Sequence, residues 1–405
     1  MTRVLVTRDL DRNGPSGGVS RRASLRLIAL SGAALLGACS SLDTLMRAET
    51  PPAPAPQPAP IGTGPVTVAL LVPLSAGGGG GAVATAIRNA CDMAMTEFGQ
   101  GAFQLAVKDD LGTPAGATAA ATAALAEGAR VILGPLFGPS VAAAGAVARS
   151  AGVPVIAFSS DAGVAAPGVY LLSFMPQSDV ERIVSYAASS GKRSYAALIP
   201  QTAYGTVVQG EFQASASRNG ARIVGLEQFP LDRMAMQEPI ARIAGVLKGG
   251  QADGLFIPEG GDALPLVVQS LTVSGVDPRS VQLLGTGVWE DGRVFADPML
   301  QGGLYAAPDT RGFKVFAERY KARFNADPVR LASVGYDAVS LVAGLLRTYG
   351  QQAFEAQNIT HAAGFNGVDG AFRFRADGTN ERALAVLKVT PAGGETVSAA
   401  SRTFA

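Results

Sequence analysis

The side chains that could do chemistry in this chain lie in short polar segments that follow apolar runs. Ser75 follows one such run, and Ser159, Ser160 and Asp161 follow another. Hydroxyl and carboxylate groups at the carboxyl ends of buried strands can hold a polar ligand by hydrogen bonds. The same residue types also cap helices and form turns, so the sequence leaves both interpretations open.

Two aromatic residues in similar positions could stack on a ligand. Tyr204 lies in the segment AYG, and Trp289, the only tryptophan, lies in GTGVWED. A large aromatic side chain after a strand end is either a ligand contact or a packing element between loop and core. The carboxylates Glu259 and Glu290 in neighbouring segments are interpreted as solvated loop charges.

The sequence lacks the residue patterns that are typical of enzymes and metal sites. The single histidine, His361, is far from any Gly-x-Ser-x-Gly segment, and no Cys/His cluster has metal-binding spacing. The pair Asp109 and Asp110 precedes the segment LGTP and is predicted to cap a turn. We therefore predict a protein without catalytic residues, metal or cofactor.

The run GGGGG at residues 77–81 raises the question of a phosphate loop, because amides at a helix start can bind anions. The run lacks the Gly-Lys-Ser/Thr ending of such a loop. A flexible turn between a strand and a helix is the favoured interpretation.

The first 38 residues are predicted to form an export signal. The basic stretch SRRASLR precedes the apolar run LIALSGAALL and the box LGAC. This order resembles a bacterial lipoprotein signal, in which the cysteine, here Cys39, is lipidated and becomes the first mature residue. Ser40 favours sorting to the outer membrane, and export by the general secretory or the twin-arginine route stays open.

Residues 39–65 are predicted to be a lipid-anchored tether that holds a globular body in the periplasm. The stretch PPAPAPQPAP favours polyproline conformation and spans about 30 Å. Without residues 1–38 the chain keeps 27 of 33 basic and 30 of 32 acidic residues, a net charge of −3. This balance gives no basic surface for nucleic acid.

The rest of the chain alternates short apolar runs with alanine-rich helical segments, which indicates parallel sheets covered by helices. Strands are predicted at 66–72, 103–107, 130–133, 153–158, 168–174, 195–199, 221–229, 253–257 and 281–285. Helices are predicted at 82–98, 114–127, 139–150, 177–190, 204–219, 234–248, 261–273, 312–324 and 331–350. A hairpin with Gly378 in its turn is predicted at 370–389. Cys91 is predicted to be buried on the face of its helix, with no intramolecular disulfide expected once Cys39 is lipidated.

Several segments resemble, in order, type I periplasmic binding proteins of the leucine/isoleucine/valine-binding branch. They include VALLVPLSAGGGG, DDLGTPAGA, VILGPLFGPS, GVPVIAFSS, AYG, YDAV and FNGVDGAFRFRADG. The resemblance implies an α/β fold of two doubly wound parallel-sheet lobes, joined by crossover strands and closing on a ligand. It places residues 66–174 and 307–366 in lobe 1, and residues 175–306 and 367–391 in lobe 2.

The resemblance also implies how an amino-acid ligand would be held. The serine that binds the ligand carboxylate in amino-acid binders is replaced by Gly138, and a threonine hydroxyl position falls on Asp161. The acidic partner of the ammonium group falls near Gly287, whereas the aromatic residue is retained as Tyr204. The candidate ligand-binding residues are Ser75, Gly138, Ser159, Ser160, Asp161, Tyr204 and Trp289.

A lipid-anchored member of this family that lacks most of the amino-acid-binding side chains resembles penicillin-binding-protein activators. These are lipoproteins that act on cell-wall synthases. We therefore expect a non-enzymatic regulator of peptidoglycan synthases. The alternative is a substrate-binding protein that delivers an amino acid or similar small polar solute to an ABC permease. A regulator predicts a partner surface and little ligand binding, whereas a receptor predicts a small ligand in the cleft.

Overall fold

The computed structural model describes residues 58–99 and 101–404. The predicted export signal, the lipidation site Cys39 and most of the predicted tether lie outside the described residues. Among the described helices, none combines the length and the apolar character needed to cross a lipid bilayer.

Fifteen strands are found in the described part of the chain, and they form three sheets. They are β1 (Val66–Val72), β2 (Phe103–Asp109), β3 (Ala129–Leu133), β4 (Val155–Ala157), β5 (Val169–Leu171), β6 (Ser194–Pro200), β7 (Arg222–Phe229), β8 (Gly254–Phe256), β9 (Gln282–Gly285), β10 (Leu304–Ala307), β11 (Phe365–Gly367), β12 (Gly370–Phe374), β13 (Asn380–Arg382), β14 (Ala385–Thr390) and β15 (Gly393–Ser398).

The first sheet is wholly parallel, with the order β2-β1-β3-β4-β5. The second sheet has the order β15-β14-β10-β9-β8-β6-β7 and is parallel from β10 to β7, with β14 and β15 antiparallel at one edge. The small third sheet, β11-β12-β13, is antiparallel. We call the layers around the first sheet the first lobe and those around the second sheet the second lobe.

Helices cover the two large sheets, and alanine at their buried positions lets them pack closely against the strands. They are α1 (Gly79–Phe98), α2 (Pro114–Ala126), α3 (Gly138–Ser150), α4 (Pro176–Ser189), α5 (Ala203–Arg218), α6 (Gln237–Lys248), α7 (Ala263–Val273), α8 (Gly292–Ala296), α9 (Thr310–Phe324), α10 (Ala332–Tyr349) and α11 (Ala356–Ile359). Side-chain caps fix several helix starts. The Thr113 hydroxyl accepts from the Gly116 N–H, and the Thr202 hydroxyl accepts from the Gly205 N–H.

The chain passes three times between the two lobes, at residues 172–175, 308–309 and 383–384. Helices α9 and α10 therefore return to the first lobe, where Phe316 and Val339 pack in the core around β1. The predicted arrangement of two doubly wound lobes joined by crossover strands is confirmed.

Hydrogen bonds connect the first passage between the lobes, at residues 172–175, to the segment that precedes the third passage, at residues 383–384. The Leu171 N–H donates to the Gly378 carbonyl, and the Asn380 amide donates to the carbonyls of Leu171 and Ser173 at 2.8 Å each. Asn380 is buried. These bonds fix the position of the chain where it leaves the first lobe.

The predicted hairpin at Gly378 is confirmed, since β12 and β13 pair antiparallel and Gly378 has φ +89°. The next strand, β14, leaves the hairpin and joins the second sheet. Phe372 and Phe374 pack in the first core, although the predicted lobe boundaries assign them to the second lobe. The exact division of the chain between the lobes stays a prediction.

Helix α1 packs on α10 through a close contact at a glycine. A Cβ atom on Gly335 would lie 2.8 Å from the Ile87 carbonyl oxygen and 3.0 Å from the Cys91 sulfur. Cys91 is fully buried, as predicted, and burial raises the pKa of its thiol. This cysteine is therefore a packing residue.

Candidate functional site

A cavity of about 900 Å³ opens between the two lobes. The first lobe contributes the start of α1 and the loops after β3 and β4, and the second lobe contributes the starts of α4 and α5. Five of the predicted ligand-binding residues line this cavity: Gly138, Ser159, Ser160, Asp161 and Tyr204. The parallel strands bring these loops together because their carboxyl ends meet at one edge of each sheet.

A second cavity of about 600 Å³ adjoins the first. Both cavities are lined by Ser160, Phe174, Pro176 and Tyr204. The smaller cavity reaches toward the loop after β9 and the start of α9. Together the two cavities provide space for a small organic molecule.

Asp161 lies directly against the start of helix α3. A Cβ atom on Gly138 would be 2.8 Å from Asp161 Oδ2 and 3.3 Å from its Cβ. Asp161 Oδ1 accepts a hydrogen bond from the Gly163 N–H at 2.9 Å, and the Asp161 N–H donates to Ser159 Oγ at 3.1 Å. The Asp161 carboxylate is thus held in place at the cavity wall. It can take this position because residue 138 is a glycine and has no side chain.

The glycine run after β1 makes room for an aromatic ring. Cβ atoms on Gly80 or Gly112 would each come within 3.1 Å of the Phe137 ring. Phe137 is 37 % exposed and lines the larger cavity. Gly77 and Gly78 form the predicted turn, whereas residues 79–81 form the first turn of α1, where Gly80 lets the Phe137 ring approach.

Tyr204 is held by a residue from the loop after β9. Its hydroxyl lies 2.7 Å from Thr286 Oγ1, and Thr286 is buried. Burial raises the pKa of the Tyr204 phenol, and the nearby Asp179 charge raises it further. The neutral phenol therefore presents a fixed ring to both cavities.

Asp179 is a site residue that the sequence analysis missed. It lies in the first turn of α4, lines the smaller cavity and accepts a hydrogen bond from the Gly287 N–H at 3.0 Å. The resemblance placed an acidic residue near Gly287, and the structure places a carboxylate there from another segment. Burial raises the pKa of Asp179 to about 7.

An ion-pair cluster links the lobes at the smaller cavity. Arg330 lies 2.5 Å from Asp369 Oδ1 and 3.7 Å from Glu290 Oε1. Glu290 comes from the second lobe and is partly buried, with a pKa raised by burial and lowered in part by Arg330. Its interpretation as a solvated loop charge is corrected by these contacts. Glu259 is also partly buried, with a pKa raised by burial.

Trp289 does not face either cavity, which corrects the expectation that it stacks on a ligand. The side chain is fully buried in the core of the second lobe, and its indole N–H donates to the Ile257 carbonyl at 3.0 Å. Gly285 and Gly303 leave the space that the ring fills. The physical reason is that a short helical turn after β9 directs the ring inward.

Ser75 lies outside the lining of both cavities. Its hydroxyl donates to the Asp109 carboxylate. Asp109 Oδ1 accepts from the Leu111 N–H, and Asp110 Oδ1 accepts from the Gly112 N–H, both at 2.9 Å. The predicted turn-capping role of the two aspartates is confirmed. Within the described residues, no group of three His, Cys, Asp or Glu side chains could hold a metal ion.

The contact between Gly138 and Asp161 predicts the effect of adding one methyl group. Gly138→Ala is expected to lower the free energy of unfolding by about 1 kcal/mol, because Asp161 has to leave its capping position. Gly210→Ala, where a Cβ atom meets open space on α5, is expected to raise it by up to about 1 kcal/mol. Urea unfolding of both variants tests this, and equal shifts in the same direction would contradict it.

The raised pKa of Asp179 predicts a pH dependence of stability. A folded-state pKa near 7 lies above the unfolded value of about 4, so this contribution is fully present below pH 4 and lost as pH rises through 7. A shift of this size amounts to about 4 kcal/mol, which partial exposure to the cavity reduces to about 2 kcal/mol. Asp179→Asn should therefore be more stable than wild type by about 2 kcal/mol at pH 8 and equal to it at pH 4.

Urea unfolding at several pH values measures this difference. Asp253→Asn is the control of opposite sign, because hydrogen bonds from the Arg193 N–H and the Ser194 hydroxyl lower the pKa of Asp253. That variant should lose stability at neutral pH. A pH-independent effect of Asp179→Asn would contradict the assignment.

The sequence matches the family described as periplasmic binding protein over residues 65–395. The chain therefore belongs to the periplasmic binding protein family. The family supports the periplasmic location that the export signal predicts, and its members are substrate-binding proteins. No curated protein sequence matches the chain.

Solved structures with the same fold include proteins of ABC transporters. A protein assigned to a branched-chain amino acid ABC transporter from Rhodospirillum rubrum is 15 % identical, with a TM-score of 0.73, and the match covers 82 % of this chain and 99 % of that one. A branched-chain amino acid ABC transporter ligand-binding protein from Burkholderia xenovorans is 16 % identical, with a TM-score of 0.66 and coverages of 82 % and 94 %.

A third structure is the solute-binding protein of an ABC transporter from Rhodopseudomonas palustris, in complex with 3,4-dihydroxybenzoic acid. It is 22 % identical, with a TM-score of 0.58, and the match covers 84 % of this chain and 97 % of that one. At these identities the likeness concerns the fold alone, and it agrees with the α/β fold of two parallel-sheet lobes expected from the sequence.

Proposed function

We propose that this protein is a solute-binding receptor that takes a small molecule between its two lobes and delivers it to an ABC permease. The observation that carries the proposal is the pair of adjoining cavities, whose walls come from both lobes. A ligand there contacts both lobes at once and stabilises a closed arrangement relative to an open one. From the sequence alone, this function was the alternative to a regulator of peptidoglycan synthases.

The relatives support transport more than regulation of peptidoglycan synthases. The three structures named above belong to ABC transporters. The interpretation as a regulator depends on the absence of most amino-acid-binding side chains and on the predicted lipid-anchored tether. A cavity of about 900 Å³ with a fixed aromatic ring and hydroxyl groups supports ligand binding even without those amino-acid-binding side chains.

We also propose that Cys39 anchors the receptor by lipid to the outer membrane, with residues 39–65 as the tether. The sequence of the export signal supports this part of the proposal. Cys39→Ser should move the protein from the membrane fraction to the soluble periplasmic fraction. Retention of the variant in the outer-membrane fraction would contradict the anchor.

Native mass spectrometry of the full chain, purified in mild detergent without denaturation, tests ligand binding directly. The expected result is one co-purifying small molecule per chain. Small-angle scattering before and after its removal should then show a larger radius of gyration for the emptied receptor. A thermal-shift screen with amino acids, aromatic acids and amines identifies substitutes for the natural ligand.

Matched variants on helix α5 show whether the cavity is the binding site. Ala203→Trp places a large ring in the cavity and should abolish binding. Gly210→Trp adds the same ring to the same helix outside the cavity lining and should leave binding unchanged. The proposal fails if the receptor carries no small molecule and responds to none, or if both variants bind equally well.

A further inference from the structure

The larger cavity combines aromatic walls with one fixed negative charge. Phe137, Phe158, Phe174 and Tyr204 line it, and among its lining residues, all within the described chain, Asp161 alone carries a formal charge. We infer that the ligand is an organic cation, an amine or quaternary ammonium ion attached to an apolar body. This inference rests on the proposed function, because it names the class of solute that the same cavity takes.

A carboxylate of the protein lies beside the position that would attract an anion. The start of a helix carries a partial positive charge and exposed amides that bind carboxylates. The Asp161 carboxylate lies beside the start of helix α3, since its Oδ2 would be 2.8 Å from a Cβ atom on Gly138. A ligand carboxylate at this point would meet a like charge, whereas an ammonium group would meet an opposite one.

Asp161 is held so that it can act as this partner. Oδ1 accepts from the Gly163 N–H, and the backbone N–H of Asp161 donates to Ser159 Oγ. The residue is nevertheless exposed at the cavity. One carboxylate oxygen is therefore fixed by the protein while the group as a whole stays accessible to a ligand.

The aromatic residues around Asp161 favour a cation further. A positive group over an aromatic face gains about 0.5–2 kcal/mol, depending on how far it is desolvated. Phe137 is 37 % exposed, and its ring rests on Gly80 and Gly112 at the cavity mouth. An apolar body between this ring and the ring of Tyr204 removes both surfaces from water.

The smaller cavity does not reverse this charge preference. It contains Arg330 and Lys314, but Arg330 is already engaged by Asp369 and Glu290. Asp179 adds a further acidic side chain beside the ring of Tyr204. The smaller cavity thus holds two acidic side chains, Asp179 and Glu290, and two basic ones, Arg330 and Lys314, whose formal charges balance.

Phenyl compounds that carry a cationic group, a carboxylate or both test the inference. Calorimetric titration of the full chain, after removal of co-purified ligand, compares benzylamine and benzyltrimethylammonium with benzoate, and phenethylamine with phenylalanine. The expected result is that each amine or ammonium ion binds at least tenfold more tightly than its carboxylate-bearing counterpart. Tighter binding of benzoate or phenylalanine would overturn the inference and leave the receptor function intact.

Asp161→Asn keeps the size of the side chain and one oxygen for the Gly163 N–H, and should weaken amine binding roughly 10- to 30-fold. The matched control is Asp277→Asn, since Asp277 caps a similar short helix through the Arg279 N–H at 3.0 Å, away from both cavities. This control should bind amines like wild type. Unchanged amine affinity in a folded Asp161→Asn variant would overturn the inference.

The double variant Gly138→Ser with Asp161→Thr gives an independent readout. It replaces the carboxylate with two hydroxyl groups and should shift the preference from benzylamine toward benzoate. No shift would count against the inference. If the wild-type chain also carries no ligand in native mass spectrometry and none in the screen, the receptor function itself fails, so the two failures are distinguishable.

Discussion

Replacing Trp289 with alanine is expected to lower the free energy of unfolding by about 3–5 kcal/mol. The side chain is fully buried, so its removal leaves a cavity in the core of the second lobe as well as losing apolar burial. The substitution also removes the indole N–H that donates to the Ile257 carbonyl, which leaves that buried oxygen without this partner.

Urea unfolding followed by far-ultraviolet circular dichroism measures this loss, because Trp289 is the only tryptophan and its fluorescence disappears with it. Trp289→Phe should cost less, since it keeps most of the ring and loses the hydrogen bond. Val288→Ala, at a neighbouring side chain that is 41 % exposed, should change stability by less than about 0.5 kcal/mol. A loss below 1 kcal/mol for Trp289→Ala would show that the ring is not a core element.

Replacing Asp337 with asparagine is expected to destabilise the fold by about 3–5 kcal/mol. Burial raises the pKa of the Asp337 carboxyl and the Arg382 charge lowers it in part, but the loss of the only counter-charge described beside the buried guanidinium group outweighs the gain from no longer burying a carboxylate. Asp337 and Arg382 each have side chains only 1 % exposed, with Asp337 Oδ2 3.9 Å from Arg382 Nη1. The Arg382 guanidinium lies over the rings of Phe174 and Phe372, at 4.9 and 5.3 Å from their centroids. Within the described residues, the guanidinium nitrogens of Arg382 donate no hydrogen bond.

A double-mutant cycle tests this pair. Asp337→Asn keeps an oxygen for the Val368 N–H, which donates to Asp337 Oδ1 at 2.7 Å. Adding Arg382→Met removes the unpaired charge and should recover a large part of the loss. Arg279→Met, which breaks an exposed ion pair, should change stability by less than 1 kcal/mol. Additive single effects at residues 337 and 382 would contradict a coupled pair.

The alternation of apolar runs and alanine-rich helices was sufficient to predict the two parallel sheets. Most observed strands begin or end within one or two residues of the predicted ones, because parallel strands buried on both faces are continuous apolar runs. Strand β15 was missed because GGETVS is polar and lies at a sheet edge. Strand β10 was also missed, although its sequence LYAA is a short apolar run.

The candidate site was predictable where its residues directly follow strands. Gly138, Asp161 and Tyr204 lie at the cavity because parallel strands bring their following loops to one edge. Asp179 was missed because it meets Gly287, 108 positions away, only after the chain crosses between the lobes. Trp289 was misplaced because the sequence does not tell which way a short turn directs its side chain. Whether these residues bind a ligand stays a prediction.

The contact between Gly138 and Asp161 restricts which residues can stand together at this site. With any side chain at residue 138, an aspartate at residue 161 could not occupy its present position, since a Cβ atom would already lie 2.8 Å from its oxygen. Glycine at residue 138 is therefore what allows the carboxylate of residue 161 to keep its present position. Homologous chains should accordingly show paired residues here: aspartate at 161 only beside glycine at 138.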